Sequence, residues 1–311
     1  MLHTVSGKVV LITGPARGIG AETARVLASR GARLSLVGLE PERLAALASE
    51  LGAGHVWFEC DVTDQKALER AVAGTVNALG GIDVVVANAG IGSYGTVAVT
   101  PVDALVRTIE VNLIGVVRTV SATLPSVTAR EGYYLLVSSA AALAPMPGIS
   151  TYAASKSAVE QFGNVLRLEV AHKGVAVGVA HPAWIDTDLV RDTRRDLESF
   201  NDLLGKLPGP FGSLTSVREC AEAFVSAIER RRRKLYVPRT LAPLAALRQL
   251  FMSSLSDYLM ARHTRRLVPK VEGEVLALGR SFGVNSMGLA EKSVADDTRK
   301  QSSTVLAPTD G

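Results

Sequence analysis

A short apolar run followed at once by closely spaced glycines is the feature of this chain that most restricts its fold. Val9–Thr13 is rich in β-branched residues and predicts a buried strand. Gly14, Gly18 and Gly20 follow directly, and residues 21–30 have the pattern of a helix. A glycine-rich turn between a strand and a helix lets a phosphate approach backbone N–H groups. The spacing G-x-x-x-G-x-G differs from the usual G-x-G-x-x-G, but its position predicts a dinucleotide-binding loop.

Strands and helices continue to alternate as far as about residue 180. Residues 33–39 and 83–87 have the pattern of strands, and another strand ends at Cys60. This alternation predicts a parallel sheet covered by helices on both faces. The chain has 311 residues, of which 47% are apolar and 21% charged, an ordinary globular balance. The predicted fold class is therefore α/β, with one doubly wound domain and a C-terminal helical extension.

The residues after the second strand leave the choice between NAD(H) and NADP(H) open. Gly38 and Leu39 offer neither a carboxylate for a ribose 2′-hydroxyl nor an arginine for a 2′-phosphate. Glu40 is the nearest acid, and Arg17 inside the glycine loop is the nearest candidate for a phosphate contact. We expect Arg17 to favour NADP(H).

Polar residues also follow the third and fourth strands. Asp61 is placed to accept a hydrogen bond from an adenine amino group, or to cap the next helix in competition with Thr63 or Asp64. Asn88 begins an Asn-Ala-Gly segment whose small residues let a ribose pass close to the backbone. Bracing the neighbouring strands is an equal alternative for the Asn88 side chain. Both residues are candidates for the nucleotide site.

A tyrosine, a lysine and a serine form the candidate catalytic group. Tyr152 and Lys156 are four residues apart, so on a helix they share a face, and Ser139 lies thirteen residues before Tyr152. A neighbouring cation lowers the pKa of a phenol, which then exchanges a proton with an alcohol or carbonyl oxygen. Ser139 is placed to hold that oxygen, with the adjacent Ser138 as its rival, because strand register decides which one faces the site. The group predicts hydride chemistry supported by a cofactor.

Together these motifs resemble those of the short-chain dehydrogenase/reductase family, over residues 7 to about 240. The matching residues occur in the family's order and spacing and are Thr13, Gly14, Gly18, Gly20, Asp61, Asn88, Ala89, Gly90, Asn112, Ser139, Tyr152 and Lys156. The resemblance implies a Rossmann-type domain. It also implies an NAD(P)-dependent oxidoreductase that interconverts alcohols and ketones or aldehydes.

The resemblance implies a role for each matched residue. Tyr152 is the general acid/base, Lys156 lowers its pKa and binds the nicotinamide ribose, and Ser139 orients the substrate oxygen. Asn112 shapes a helix and holds a water that links Lys156 to solvent. The implied cofactor contacts are Gly14, Arg17, Gly18, Ile19, Gly20, Asp61, Val62, Asn88, Ala89, Gly90, Tyr152, Lys156, Pro182 and Thr187.

Two positions depart from the family pattern. Ala183 follows Pro182 where the family has a glycine, so a Cβ stands where the nicotinamide usually approaches. Gly38 and Leu39 lack the side chains that usually select the cofactor.

Cysteine and histidine usage argues against disulfides and against a metal site. Cys60 and Cys220 are far apart, and the five histidines are scattered. His181, near the predicted cleft, is expected to be structural. The N-terminal segment lacks the pattern of a signal peptide, and no apolar run is convincing as a membrane span. These features predict a cytoplasmic protein without a bound metal.

Basic residues concentrate between residues 230 and 270. This stretch holds eleven Lys and Arg residues and one acid, Asp257, in a chain whose net charge is +4. Apolar residues recur there at roughly helical spacing, namely Leu244, Leu247, Leu250, Phe251, Leu255, Tyr258 and Leu259. We expect an amphipathic helix that covers the body or a partner subunit, or that lies on an anionic membrane surface. Sparse aromatic residues and the lack of a recognition motif argue against nucleic-acid binding.

Residues 184–214 are predicted to form a lid over the substrate site. The apolar residues of this segment indicate a bulky lipophilic substrate, such as a steroid, a retinoid-like or a long-chain acyl compound, or they simply seat the lid on the core. The predicted limits are 1–240 for the main domain, 241–290 for the basic extension and 291–311 for a disordered tail.

Other functions on the same scaffold remain as alternatives. They are a non-catalytic dinucleotide-binding protein, an enoyl reductase and an epimerase, and the intact Ser139, Tyr152 and Lys156 favour carbonyl/alcohol exchange over all three. The resemblance implies dimers or tetramers through two long helices, here about 101–130 and 152–172. The apolar side of each helix is compatible with that assembly.

Overall fold

A central parallel sheet organises the molecule. The computed structural model describes residues 3–207 and 212–288 of the chain. Within this part seven strands form one sheet, and every neighbouring pair is parallel. The strands are β1 Val9–Thr13, β2 Arg33–Gly38, β3 Val56–Glu59, β4 Val84–Ala87, β5 Tyr133–Val137, β6 Ala176–Pro182 and β7 Lys234–Val237.

The order of the strands is β3-β2-β1-β4-β5-β6-β7. The chain therefore runs outward from β1 to β3, crosses back to β4 beside β1, and continues outward on the other side. In such sheets, ligands bind beyond the carboxyl ends of the strands where the order reverses. The doubly wound α/β fold predicted from the alternation of strands and helices is confirmed.

Helices cover both faces of the sheet. In the described part of the chain they are α1 Gly18–Ser29, α2 Pro41–Leu51, α3 Gln65–Leu79, α4 Val102–Ile109, α5 Gly115–Ala129, α6 Ser150–Glu169, α7 Asp188–Asp196, α8 Glu198–Lys206, α9 Val217–Glu229, α10 Leu241–Ala246, α11 Arg248–Phe251 and α12 Ser254–Leu278. A π-helical turn, Glu110–Ile114, joins α4 to α5.

Two buried clusters fill the space between the sheet and its helices. Alternate strand residues point to opposite faces, so Val10 and Ile12 belong to one cluster while Leu11 belongs to the other. The first cluster is completed by α1, α2 and α9, and the second by α3, α5 and α6. Tyr133 and Tyr134 are fully buried on opposite faces of β5. The sheet is thus enclosed on both sides, and its carboxyl edge is fixed in position by a continuous core.

The C-terminal extension predicted for residues 241–290 is helical, as expected. It consists of three helices, α10, α11 and α12, which end at Leu278. Pro269 lies inside α12 and has no backbone N–H to bond to the preceding turn. Beyond it, Val271 and Val275 pack with Tyr94 and Leu197 in a third buried cluster. The C-terminal part of α12 therefore packs against the main domain, which is one of the alternatives predicted from the sequence.

A buried carboxylate fastens the start of this extension to the main domain. Glu160 on α6 is 3% exposed and pairs with Lys234 of β7 at 3.2 Å and Arg248 of α11 at 2.9 Å. The His181 ring lies 3.6 Å from the same carboxylate. Burial by itself raises the pKa of Glu160, but His181 and Lys234 outweigh it and hold the value down at about 2.

No helix in residues 3–207 or 212–288 is both long and apolar enough to cross a membrane. The tail predicted for residues 291–311 lies outside the described residues, as do residues 208–211 of the predicted lid.

Candidate active site

A cavity of about 220 Å³ opens at the carboxyl ends of the central strands. It collects most of the cofactor residues that the sequence predicted, although they are spread over about 170 positions of the chain. The predicted residues that line it are Gly14, Arg17, Gly18, Ile19, Asp61, Val62, Asn88, Ala89, Gly90, Tyr152, Lys156, Pro182 and Thr187. Gly20, Asn112 and Ser139 are not among its lining residues and lie just behind them.

The glycine loop is held against the end of β4 by hydrogen bonds. Thr13 Oγ1 accepts from the backbone N–H groups of Asn88 and Ala89, both at 3.1 Å. The Asn88 amide donates to the carbonyl oxygens of Thr13 and Gly14 at 3.1 Å each. A Cβ on Gly14, whose φ is +65°, would lie 2.8 Å from Ala89 Cα. The Asn88 side chain therefore has the bracing role that the sequence left open.

Secondary structure brings the catalytic candidates together. Ser139 follows β5 directly, and Tyr152 and Lys156 occupy successive turns at the start of α6. The Ser139 hydroxyl accepts from Ala141 N at 3.1 Å and lies near enough to the Tyr152 phenol to act on its pKa. Lys156 Nζ lies 5.8 Å from the centre of the Tyr152 ring and donates to Val137 O at 3.0 Å.

The hydroxyl of Ser138 is used elsewhere. Ser138 lines the cavity wall, whereas Ser139 does not. The Ser138 hydroxyl nevertheless donates to Lys156 O at 2.7 Å, behind α6. The partner of each serine hydroxyl decides between the two residues, because a hydroxyl must be directed at Tyr152 to share a substrate oxygen with it. Whether other atoms of the serine line the cavity matters less. Ser139 is therefore the better candidate, in line with the thirteen-residue spacing.

Burial dominates the electrostatics of this group. Desolvation raises the pKa of Tyr152 above its ordinary value, while the hydrogen bond with Ser139 acts in the opposite direction. Lys156 is 4% exposed, and burial lowers its pKa to about 8. The expected lowering of the Tyr152 pKa by Lys156 is not what this arrangement gives, because desolvation of the phenol is the larger effect. With its pKa raised, the phenol keeps its proton at neutral pH.

Asn112 sits in the π-helical turn, fully buried. Its side chain accepts from Ile91 N at 2.8 Å and donates to Ile91 O at 2.9 Å and to Ser155 Oγ at 3.2 Å. A Cβ on Gly90 would lie 3.1 Å from Asn112 Oδ1 and 3.3 Å from Lys156 Nζ. Gly90 thus packs against both the amide and the ammonium, and Asn112 joins the π-helical turn to Ile91 and to Ser155 of α6.

At the adenosine end of the cavity, Arg17 is already engaged. Its guanidinium forms two hydrogen bonds to the Glu40 carboxylate, one of them at 3.1 Å, and donates to Asn285 Oδ1 at 3.0 Å. Asp188 lies 3.6 Å from the same group. The expectation of an uncommitted arginine for a 2′-phosphate therefore needs revision, because Glu40 neutralises it.

Asp61 has partners that the sequence did not indicate. It accepts from Thr63 N and Thr63 Oγ1 at 2.8 Å each and pairs with Arg107 at 3.1 Å. The helix cap belongs to Asp64, which accepts from two backbone N–H groups at the start of α3. Arg107 is 6% exposed and lines the cavity, but nothing in the local sequence around α4 distinguishes it.

Residues from the far end of the chain complete the cavity wall. Asn285 and Ser286 line it, and Asn285 is hydrogen bonded to Asp192 through its backbone N at 3.0 Å and its amide at 3.1 Å. Phe282 forms an antiparallel bridge with Ser93. We call residues 280–287 the closing segment. The predicted limit of the main domain at residue 240 leaves out these cavity residues.

The predicted lid is seated on the extension. Leu197 and Leu204 are buried, and Trp184 packs edge-on against Phe200 with ring centres 5.3 Å apart. The Glu274 carboxylate of α12 accepts from Ser199 N at 3.0 Å, at the start of α8. Most apolar residues of this segment therefore pack against protein, and Leu189 remains as a cavity residue.

The cavity suits a dinucleotide. Gly14, Gly18 and Gly90 line it without side chains, and the N-terminus of α1 faces the loop where a pyrophosphate would be neutralised. Pro182 and Thr187 stand at the end of β6, and the Gly18 backbone is close to the Thr187 methyl group.

Ala183 is 8% exposed and is not among the cavity residues. His181 is also absent from the lining and stacks on Tyr236 at 5.1 Å. In the described ranges, no cluster of three or more His, Cys, Asp or Glu side chains could hold a metal.

Comparison with known proteins agrees with this geometry. The family model described as short chain dehydrogenase matches residues 8–198, which is more than half of the chain. The chain belongs to the short-chain dehydrogenase family. Its relatives are oxidoreductases, and the family resemblance stated from the motifs is confirmed.

Relatives with assigned and unassigned activities share this likeness. The chain is 30% identical to an uncharacterised oxidoreductase of Listeria innocua, over 68% of this chain and 90% of that protein. It is 32% identical to the 3-oxoacyl-acyl-carrier-protein reductase of Bos taurus, over 69% and 89%. It is 37% identical to the glycine betaine reductase of Emericella nidulans over 60% of this chain, and the match spans 15% of that longer protein.

A solved structure provides the corresponding fold. The alcohol dehydrogenase of the archaeon Thermococcus sibiricus, complexed with 5-hydroxy-NADP, superposes with a TM-score of 0.64 and 29% identity. The superposition covers 74% of this chain and 95% of that one. This short-chain dehydrogenase therefore carries additional chain beyond a nearly complete family fold.

Proposed function

We propose that this protein interconverts an alcohol and a ketone or aldehyde by hydride transfer, with NAD(P)(H) as cofactor. The observation that carries the proposal is the placement of Ser139 and Lys156 beside the Tyr152 phenol, at the cavity that the glycine loop also lines. A phenol and a hydroxyl that share one oxygen-binding position suit proton exchange with a carbinol or carbonyl oxygen.

The nicotinamide group, when bound, supplies or accepts the hydride. Tyr152 donates its proton to the substrate oxygen as a carbonyl carbon gains the hydride, and takes a proton back in the oxidation direction. Ser139 holds the same oxygen by a hydrogen bond. Lys156, fixed by Val137 O, is placed to bind ribose hydroxyls and to stabilise the phenolate once the proton has left.

The pair of Arg17 and Glu40 bears on the choice of cofactor. The sequence favoured NADP(H), through Arg17. In the structure Glu40 follows the second strand, about 20 residues after the glycine loop, where an acid binds the ribose 2′-hydroxyl. A carboxylate there repels a 2′-phosphate, and it also occupies the arginine. These contacts support NAD(H), which we propose as the preferred cofactor.

A lipophilic substrate remains our proposal for the other side of the cavity. Ile91, Val137 and Leu189 supply apolar wall near Tyr152, which suits an apolar carbon chain or ring system beside the reacting carbon. The similar protein of Bos taurus is a 3-oxoacyl-acyl-carrier-protein reductase, which supports an acyl compound among the substrate classes that the sequence suggested.

We also propose a homodimer or homotetramer formed through α4 and α6. Val102 and Val106 of α4 and Val165 and Leu168 of α6 are 44–67% exposed. A cytoplasmic location remains a prediction, with which the free, buried Cys60 and Cys220 are compatible.

Replacing Tyr152 by Phe tests the proposed reaction. We expect turnover of lipophilic secondary alcohols, screened with both cofactors, to fall about 100- to 10,000-fold, because the proton exchanger is lost. NADH binding, followed by fluorescence, should stay within about twofold. Tyr236→Phe is the matched control, since Tyr236 stacks on His181 outside the cavity.

Undiminished turnover in the Tyr152→Phe enzyme would refute the assigned acid/base. Tight NADH binding by a wild-type protein that turns over no alcohol or ketone would favour a non-catalytic dinucleotide-binding protein instead. Reduction of an enoyl substrate, or epimerisation, would favour the other reactions on this scaffold.

A further inference from the structure

The outer end of the C-terminal extension exposes an unusual amount of apolar surface. We call residues 247–266 the outer segment; it comprises α11 and the first half of α12. Its exposed apolar side chains include Leu250 at 63%, Leu255 at 68%, Tyr258 at 79% and Leu259 at 63%. Residues 257–263 are exposed without interruption, so nearly two helical turns lie open to solvent. Contiguous exposed apolar surface of this kind marks an interaction site.

The same segment carries uncompensated positive charge. Arg262, Arg265 and Arg266 are exposed and form no ion pair with any of the described residues. Other basic residues of the region are already neutralised, since Lys234 and Arg248 pair with Glu160. Lys270 pairs with Glu198 and Asp202, so Arg262, Arg265 and Arg266 are the unpaired basic residues of α12.

The apolar and basic side chains share one side of the helix. At about 100° per residue, Leu255, Arg262 and Arg266 fall within roughly 40° of one another around the α12 axis. Val271 and Val275, which pack against the body, point roughly the opposite way. The outward side therefore presents apolar residues at its tip and arginines on the next two turns.

We propose that the outer segment docks on a bilayer surface that contains anionic lipids. Apolar side chains at a tip enter the boundary between headgroups and acyl chains, while arginines one or two turns away meet the headgroup phosphates. Charge complementarity favours this partner over a second copy of the chain. A symmetric dimer through the same side of the helix would bring two sets of Arg262, Arg265 and Arg266 together, while the acid of the segment, Asp257, lies on the other side of α12.

Sedimentation with lipid vesicles tests this proposal on the full chain. We expect binding to vesicles of phosphatidylserine mixed with phosphatidylcholine at low salt, release at high salt, and much weaker binding to phosphatidylcholine alone. The triple variant Arg262→Gln, Arg265→Gln, Arg266→Gln should bind on the order of 100-fold more weakly, at about tenfold per 1.4 kcal/mol and about 1 kcal/mol per basic residue.

A second variant separates apolar insertion from charge. Leu255→Ser with Leu259→Ser should also weaken binding on the order of 100-fold, because apolar area is no longer buried. The matched control is Lys66→Gln, Arg70→Gln and Lys173→Gln, which removes the same charge from exposed positions on other elements and should leave binding unchanged. NADH affinity and the thermal unfolding midpoint should be those of the wild type in all three variants, since none of these side chains contacts the cavity.

Several outcomes would overturn the proposal. Absence of vesicle binding at low salt would do so directly. An equal loss of vesicle binding in the control triple variant would show that binding depends on the net charge of the protein and not on the position of the three arginines. A fall in molar mass by light scattering in the Leu255→Ser, Leu259→Ser variant, without a change in vesicle binding, would assign the surface to a second copy of the chain.

Discussion

Lys156 shows how closely function and stability conflict at a single residue. It is almost fully buried, and among the described residues the hydrogen bond of its ammonium goes to Val137 O at 3.0 Å. Burial lowers its pKa from 10.5 to about 8, so the folded protein resists the charge that the proposed mechanism uses. The Tyr-x-x-x-Lys spacing predicted the pairing of these side chains, but it could not predict that desolvation would outweigh their attraction.

Replacing Lys156 by Met should therefore stabilise the protein while ending turnover. At pH 7 we expect a gain of about 1–3 kcal/mol in unfolding free energy, because a desolvated charge is removed. Between pH 8 and 10.5 the unfolded wild-type chain binds a proton that the folded one does not, so wild-type stability rises with pH and the gap closes. Thermal unfolding of both proteins across this range measures the effect. A variant less stable than the wild type at pH 7 would contradict it.

Glu40 sets the charge next to the adenosine ribose in our proposal. Glu40→Gln removes a carboxylate that would repel a 2′-phosphate and frees Arg17 to bind it. We expect the affinity for NADPH relative to NADH to rise about tenfold, equivalent to about 1.4 kcal/mol. Fluorescence titration with both cofactors measures the ratio. Glu42→Gln, at an exposed position on the same helix, is the control, and an unchanged ratio in the Glu40 variant would show that this carboxylate does not select the cofactor.

At the scale of elements, local signals predicted most of the nucleotide-binding half. The strand, glycine loop and helix at residues 9–29 each follow from neighbouring residues, and so does the pairing of Tyr152 with Lys156. The closing segment had no such signal, because Asn285 meets Arg17 across 268 residues of sequence. Arg107 likewise reaches Asp61 across 46 residues. Contacts of this kind are set by the assembled fold, and no periodicity or spacing reveals them.

The closing segment should contribute to cofactor binding. Asn285→Ala removes an acceptor from Arg17 and a donor to Asp192, so we expect the dissociation constant for NADH to rise about 5- to 10-fold. Fluorescence titration measures it. Asn77→Ala, on the exposed side of α3, serves as the control. An unchanged dissociation constant would mean that residues 280–287 merely border the cavity.

At the scale of the whole molecule, the sequence predicted the sheet, its two helical layers and a helical extension, but not the course of that extension. Glu160 anchors α11, three helices follow one another, and the chain then returns to the cavity. Helical periodicity predicted helix in this region correctly. It could not indicate where the helix breaks, because the breaks depend on what each part packs against.

The proposed homo-oligomer can be tested at the exposed side of α6. Val165→Glu with Leu168→Glu places charges on the exposed side of α6, and we expect the wild-type oligomer to dissociate to monomers. Light scattering measures the molar mass. Val97→Glu introduces a charge at another exposed apolar position and should leave the mass unchanged. A monomeric wild-type protein at micromolar concentration would contradict the proposed assembly.

The return of the chain to the nucleotide cavity has a practical consequence for protein engineering. A chimera that transplants only residues 8–198 would carry every recognisable family motif. It would still lack the donor and acceptor groups that Asn285 gives to Asp192 and Arg17, and the wall that Ser286 provides. The smallest portable unit of this enzyme therefore extends through residue 287, well past residue 198, where the match to the family model ends.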